Sequence, residues 1–309
     1  MKSKIVIAVV IAFILSLGGL YQGFQNGNEL KNGLTKLTER IDTEVQRLNK
    51  RTTTNVYSGE PVGYVIEFEN GTTFYVSGDT GPMADMTIIN DYFKPEAAVL
   101  PIGGFFTMGP AEAAFSASLI QPQNYVIPYH YGSYPMLTQN PVEFQDALKK
   151  YNLAGRFLAP KNGEEKNIMG VKFVWLGHAS LLLISPEGKN ILIDPATPLG
   201  VFPEKYKDFS AFGKVDLVLL THGHPDHTVI SDLNKLGKMY SPIFVAPYEL
   251  GTWVQERINF PESVFALANK GANITAQEFA KIGYPAEKIG KIRIYLVPAS
   301  HSSSAAPQE

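Results

Sequence analysis

Hydrophobic and polar positions change their pattern twice along this chain. Ile5 to Leu20 is an unbroken, uncharged apolar run behind Lys2 and Lys4, of a length between a signal-peptide core and a short membrane span. In "ELKNGLTKLTERIDTEVQRLNK" (29–50), Leu30, Leu34, Leu37, Ile41, Val45 and Leu48 recur every three or four positions, which predicts one amphipathic helix. Beyond "RTTTN" (51–55) short apolar runs alternate with helical stretches, and this predicts an α/β sandwich.

The pattern divides the chain into three segments. Residues 1–22 are expected to form a signal anchor or signal peptide, and 23–52 an amphipathic spacer helix, which packs on its own domain or self-associates weakly, and a linker. Residues 53–309 are expected to form the folded domain. Bulky Tyr21 and Phe24 stand where a cleavage site needs small residues, so an uncleaved anchor is preferred. Lys2 and Lys4 favour a cytoplasmic N-terminus, which puts the domain on the extracytoplasmic side of a membrane; cleavage would export it instead.

Composition narrows the chemistry. With 309 residues, 45% apolar and 18% charged, the chain has the make-up of a globular protein with a substantial core. A net charge of −2 gives no case for a nucleic-acid partner, which needs a clustered basic surface. The absence of cysteine excludes disulfides and thiolate chemistry, so nitrogen and oxygen must hold any metal.

Polar residues collect where the predicted strands end. "TTFYVSGD" ends at Asp79, "NYVIPYH" at His130, "VKFVWLGH" at His178, "ILIDP" at Asp194 and "IRIYLVPASH" at His301. "VDLVLLTHGHPDH" carries His222, His224, Asp226 and His227 within six positions. A lone histidine beside a strand is usually a packed structural residue. Here His222 and His224, separated only by Gly223, can reach one point, and Asp226 and His227 can face a neighbouring one, a specific metal-binding pattern. A pair of divalent ions needs further ligands, for which His301, His130 and Asp79 remain.

These segments, with "GEPVGYVIEF", "FYVSGDTG", "LPIGGFFTMGPAEAA", "VIPYHYG" and "PASHSSS", resemble the metallo-β-lactamase superfamily. The resembling branch is that of metal-dependent hydrolases related to L-ascorbate-6-phosphate lactonase. The likeness covers nearly everything from about residue 55 onward, but the last three blocks of the family order come first here. The chain therefore looks circularly permuted, with "KNGEEKNIMG" (161–170) joining the family's usual end to its usual beginning. The implied fold is a four-layer αββα sandwich, preceded by the N-terminal hydrophobic helix.

The resemblance implies that His222, His224 and His301 hold one metal ion, that Asp226, His227 and His130 hold a second, and that Asp79 bridges them. Zinc is the first candidate, with manganese, iron, cobalt and nickel open. A hydroxide between the ions would attack a small-molecule substrate, with Asp226 or Asp79 as candidate proton acceptor. A lactone or other ester is the expected substrate; the alternatives are a phospholipid-like phosphodiester and a non-catalytic metal-binding protein. Asp194 suits the role of orienting a metal-bound imidazole. His178 either bonds near the site or is a packed core histidine. Tyr131 is a candidate oxyanion donor. In "GGFFTMGPAEAA", Phe105, Phe106, Thr107 and Met108 are candidate pocket residues, and a helix starting at Pro110 could hold an anionic substrate group. His301 lies eight residues from the C-terminus, so fraying there is expected to threaten one metal site.

Overall fold

The computed structural model describes residues 55–258 and 264–305. The apolar run and the spacer helix lie outside the described residues, and with them the expectations of anchoring and self-association. Among the described residues no helix is long and apolar enough to cross a membrane.

The described chain forms two large sheets and a two-stranded ribbon. Strands β1 (Val56–Tyr57), β2 (Val62–Glu67), β3 (Thr73–Val76), β4 (Ala97–Pro101) and β5 (Tyr125–Tyr129) come first. They are followed by β6 (Glu165–Ile168), β7 (Val171–Trp175), β8 (Leu181–Ile184), β9 (Asn190–Ile193), β10 (Leu217–Leu219) and β11 (Ile243–Pro247). The last are β12 (Val264–Ala268), β13 (Asn273–Ile274), β14 (Arg293–Pro298) and β15 (Ser304–Ala305). One sheet has the order β12-β11-β10-β9-β8-β7-β6 and the other β13-β14-β2-β3-β4-β5.

Alternation along the strands builds the layers. Leu217 and Leu219 face the core between the sheets, while Val218 between them faces the helical side, as a side-chain period of two requires. On that outer side Leu233 and Leu236 of the helix Ile230–Tyr240 pack with Leu250, Trp253 and Val254 of the helix Tyr248–Gln255. The other sheet is covered by the helices Pro110–Ile120 and Val142–Lys149 through Ala113, Ala117, Phe144 and Leu148. The result is the α/β metallo-β-lactamase fold.

Two features set the order of the elements. β14 pairs antiparallel with β2 over six positions, so strands from opposite ends of the described chain are neighbours. The segment 161–170 is more than a connector: it supplies edge strand β6, joined to β7 by the two-residue turn Met169-Gly170. Both turn residues have positive φ (52° and 85°), the geometry whose twist matches a hairpin. Asn70 Nδ2 and Thr72 Oγ1 donate to the Met169 carbonyl at 2.8 and 3.0 Å and fasten the turn to the second sheet.

Candidate metal centre

The polar residues converge where strands of both sheets run out. Asp79 lies three residues past β3, His130 directly after β5, His178 three residues past β7, and Asp194 directly after β9. His222 follows β10 by three residues and His301 follows β14 by three. His130, His178 and Asp194 adopt positive φ (54°, 49° and 44°), so the chain turns sharply at each strand end. Such conformations cost on the order of 1–3 kcal/mol per residue and persist only where the surroundings enforce them. Here the His130 amide donates to the His178 carbonyl at 2.9 Å, joining the loops of the two sheets.

Three groups of donors lie within 4.8 Å of one another: His222, His224 and His301; Asp79, His222 and His227; and His130, His178, Asp226 and His227. Asp79 stands at the centre. Its Oδ2 is 3.2 Å from His130 Nε2, 3.2 Å from His227 Nε2, 3.8 Å from His301 Nε2 and 3.9 Å from His222 Nε2. His224 presents Nδ1, 2.9 Å from His222 Nε2 and 3.3 Å from His301 Nε2.

Hydrogen bonds behind the cluster set which ring nitrogen faces inward. Asp194, an acceptor only, takes the Thr221 amide on Oδ1 at 2.8 Å, and on Oδ2 the Thr221 hydroxyl at 2.6 Å and His227 Nδ1 at 2.8 Å. His227 Nδ1 therefore carries a proton, and Nε2 faces Asp79. Having given its proton to Asp194, Thr221 Oγ1 accepts from His222 Nδ1 at 3.0 Å, which leaves His222 Nε2 as a lone pair. No motif in the sequence marks Thr221, although it stands directly before His222.

The electrostatics agree with a cation site. Burial, then the neighbouring His227 ring, pushes His222 well below the usual imidazole range, and burial and nearby histidines lower His224 and His301 as well. Those three rings are neutral donors. Burial opposes ionisation of Asp79, but the His130 and His227 rings outweigh it and hold the carboxyl well below the carboxylate range. Burial also opposes charge on His227, yet Asp79 and Asp194 on either side raise it strongly. A divalent ion taking Nε2 would displace that proton, since a ligating imidazole must be neutral.

The fit to a metal rests on orphaned atoms. Asp79 Oδ1, both ring nitrogens of His130 and His227 Nε2 are buried without a hydrogen bond. His130 and His227 approach Asp79 closely, but without the alignment of a hydrogen bond. Each such group costs about 1–3 kcal/mol if nothing satisfies it. A divalent ion among these nitrogen and oxygen donors satisfies them together.

His178 resolves differently. Its Nε2 is 3.0 Å from Asp226 Oδ2 and its Nδ1 is 2.5 Å from Ser133 Oγ. The Asp226 carboxylate only accepts, so Nε2 carries the proton and Nδ1 accepts from Ser133, a residue that no motif in the sequence marks. Burial pushes this imidazole down to about 4, against the pull of Asp226. Both nitrogens are occupied, and His178 therefore holds Asp226 in place.

Several expected pocket residues lie apart from the cluster. The Tyr131 ring is stacked on Trp175, centroids 4.7 Å apart, and is only 9% exposed. Met108 is buried in the core, where its sulfur accepts from Ser116 Oγ at 3.0 Å. Phe105 and Phe106 stack edge-on at 4.7 Å and are exposed, in a loop whose Met108 amide donates to the Thr80 carbonyl beside Asp79. Thr107 sits in the same loop, where its hydroxyl points to the Met108 carbonyl. The Pro110–Ile120 helix does start as expected, after Gly109, but its own Glu112 carboxylate lies over that N-terminus and competes with an anionic ligand.

His301 is secured on both sides. Gly81 N donates to the Ser300 carbonyl at 2.9 Å, and Ser300 N to Thr80 Oγ1 at 2.9 Å. Beyond it, Ser303 Oγ bonds Ser58 Oγ at 2.8 Å and accepts from Gly223 N at 3.2 Å, and β15 pairs with β1. These contacts tie the residues on either side of His301 to the loops that carry Asp79 and His222.

Fold and site together define a protein of the beta-lactamase superfamily, and residues 172–307 match the beta-lactamase superfamily domain. The chain belongs to the UPF0173 metal-dependent hydrolase family. It is 35% identical over 163 residues to a member from Rubrobacter xylanophilus, covering 51% of this chain and 67% of the relative. A Myxococcus xanthus member is 48% identical over 107 residues, covering 35% of this chain but only 38% of the relative's length. Among solved structures, a metallo hydrolase from Ignicoccus hospitalis shares 35% identity over 31% of this chain and 41% of that one, with a TM-score of 0.29.

Proposed function

We propose that this protein is a hydrolase that cleaves a lactone or other small ester at two divalent ions, zinc being the first candidate. The observation that carries the reading is the convergence of four histidine Nε2 atoms within 3.9 Å of one buried carboxylate oxygen, Asp79 Oδ2. In this reading His222, His224 and His301 would hold one ion and Asp226, His227 and His130 the other, with Asp79 available to both. Ions held there would supply an acidified water and a Lewis acid for the substrate carbonyl.

The chain's own residues do the rest. Asp194 fixes His227 directly and His222 through Thr221, and His178 fixes Asp226. Asp226 is the proton acceptor favoured over Asp79, because its side chain is 26% exposed against 3% and can pass a proton to solvent. The order of the elements is read as a circular permutation; the β14–β2 pairing and a domain match confined to residues 172–307 support it. The apolar run behind Lys2 and Lys4 supports attachment to a membrane with the domain on its outer side.

The test is turnover by the full-length, zinc-loaded chain of γ-butyrolactone and p-nitrophenyl acetate beside bis(p-nitrophenyl) phosphate. Ester or lactone cleavage abolished by Asp226→Asn is expected. Cleavage of the phosphodiester alone would overturn the ester assignment, and bound metal with no turnover of any kind would favour a binding protein.

A further inference from the structure

The loop after His130 carries a tyrosine that the cluster does not account for. Residues 132–139 close on themselves: Gly132 N donates to the Thr138 carbonyl, Leu137 N to the Tyr134 carbonyl at 3.1 Å, and Gln139 Nε2 to the same carbonyl at 2.8 Å. Thr138 N donates to the Gly103 carbonyl at 2.8 Å, so the loop is braced against its neighbour. The part-buried Tyr134 ring stands edge-on to His178, centroids 5.6 Å apart. His178 in turn lies 3.8 Å from the His130 ring and bonds Asp226. One ring thus separates Tyr134 from two of the candidate ligands.

The geometry points to Tyr134 as a catalytic residue whose phenol donates a hydrogen bond to the substrate oxygen that gains negative charge during hydrolysis. This rests on the hydrolase reading above. Three observations favour Tyr134 over its neighbours. Its hydroxyl has no hydrogen-bond partner among the described residues, whereas Ser133 Oγ is occupied by His178. Tyr131 is stacked away on Trp175. Burial, followed by the Asp226 carboxylate, raises the pKa of Tyr134, so the phenol stays protonated at neutral pH and is a donor. It keeps its proton throughout: water adds to the acyl carbon and gives one proton to Asp226, the acyl C–O bond breaks, and the leaving oxygen takes the water's other proton, so that a carboxylate and an alcohol are released.

The experiment compares the full-length parent with Tyr134→Phe and Tyr131→Phe, each loaded with zinc. Metal content is measured first, then affinity for inorganic phosphate by calorimetry, then kcat and KM on p-nitrophenyl acetate. Tyr134→Phe is expected to keep the parent's metal content and melting temperature, and to bind phosphate about 10- to 100-fold more weakly, the worth of a hydrogen bond to a charged group. Its kcat is expected to fall about 100- to 1,000-fold with KM little changed, as on removal of an oxyanion donor. Tyr131→Phe is expected to match the parent. Parental phosphate affinity and kcat in Tyr134→Phe would overturn the proposal, as would a metal-loaded parent that binds no phosphate. A folded parent that takes up no metal would overturn the hydrolase reading and this proposal with it, and the metal measurement tells the two failures apart.

Discussion

At the scale of single residues, the site depends on which nitrogen of each ring carries the proton. His178 is the clearest case, because a fully buried imidazole held at about 4 resists protonation in the fold but not in the unfolded chain. Its folded value lies below the ordinary 6.5, so its contribution to stability is intact above 6.5 and is lost as pH falls from there toward 4. The loss is about 1.4 kcal/mol per pH unit in that window. Denaturant unfolding of the metal-free chain at pH 7.5 and pH 5 is expected to show a smaller drop in His178→Asn than in the parent. An equal drop would mean that His178 is not held neutral. The candidate ligands were legible in the sequence because they sit at strand ends or in one six-residue cluster. Thr221 and Ser133 were not, since their work depends on which carboxylate or ring the fold brings opposite them. Tyr131, directly after His130, is stacked into the packing, and Tyr134 three residues on has a hydroxyl without a partner among the described residues.

Among elements, the short ribbon β1–β15 carries more than its length suggests. Gly223 lies between two candidate ligands with Ser58 packed directly against it, so that a Cβ there would overlap Ser58 Oγ and stand 3.2 Å from Ala305 N. Gly223→Ala is expected to push the ribbon off the His222–His224 loop and cost about 1–3 kcal/mol, as overpacking does. Thermal unfolding of the metal-free variant checks this, and a melting point equal to the parent's would contradict it. No local pattern announced the ribbon: two-residue strands have no period to read. The six strand ends that carry the site were legible, because each apolar run stops at a polar residue. Segment 161–170 was read as a joint and proves to be a hairpin strand, its turn formed at Met169-Gly170 with a backbone geometry that favours glycine.

For the whole molecule, strands near both ends of the described chain build one half of the site. β14 lies beside β2, so His301 and Asp79 arrive at the same cluster from opposite ends of the chain, while β5 and β10 deliver His130 and the His222–His227 group. The two-sheet architecture was legible from the alternation of short apolar runs, and the adjacency of distant strands only through the likeness to a known family. Elemental analysis of the purified full-length chain beside His301→Ala tests the account most directly. About two divalent ions per parent chain and about one in the variant are expected from a centre with three ligands on one ion and a bridging carboxylate. A folded parent with no bound metal, or a variant that keeps the parent's full complement, would contradict it.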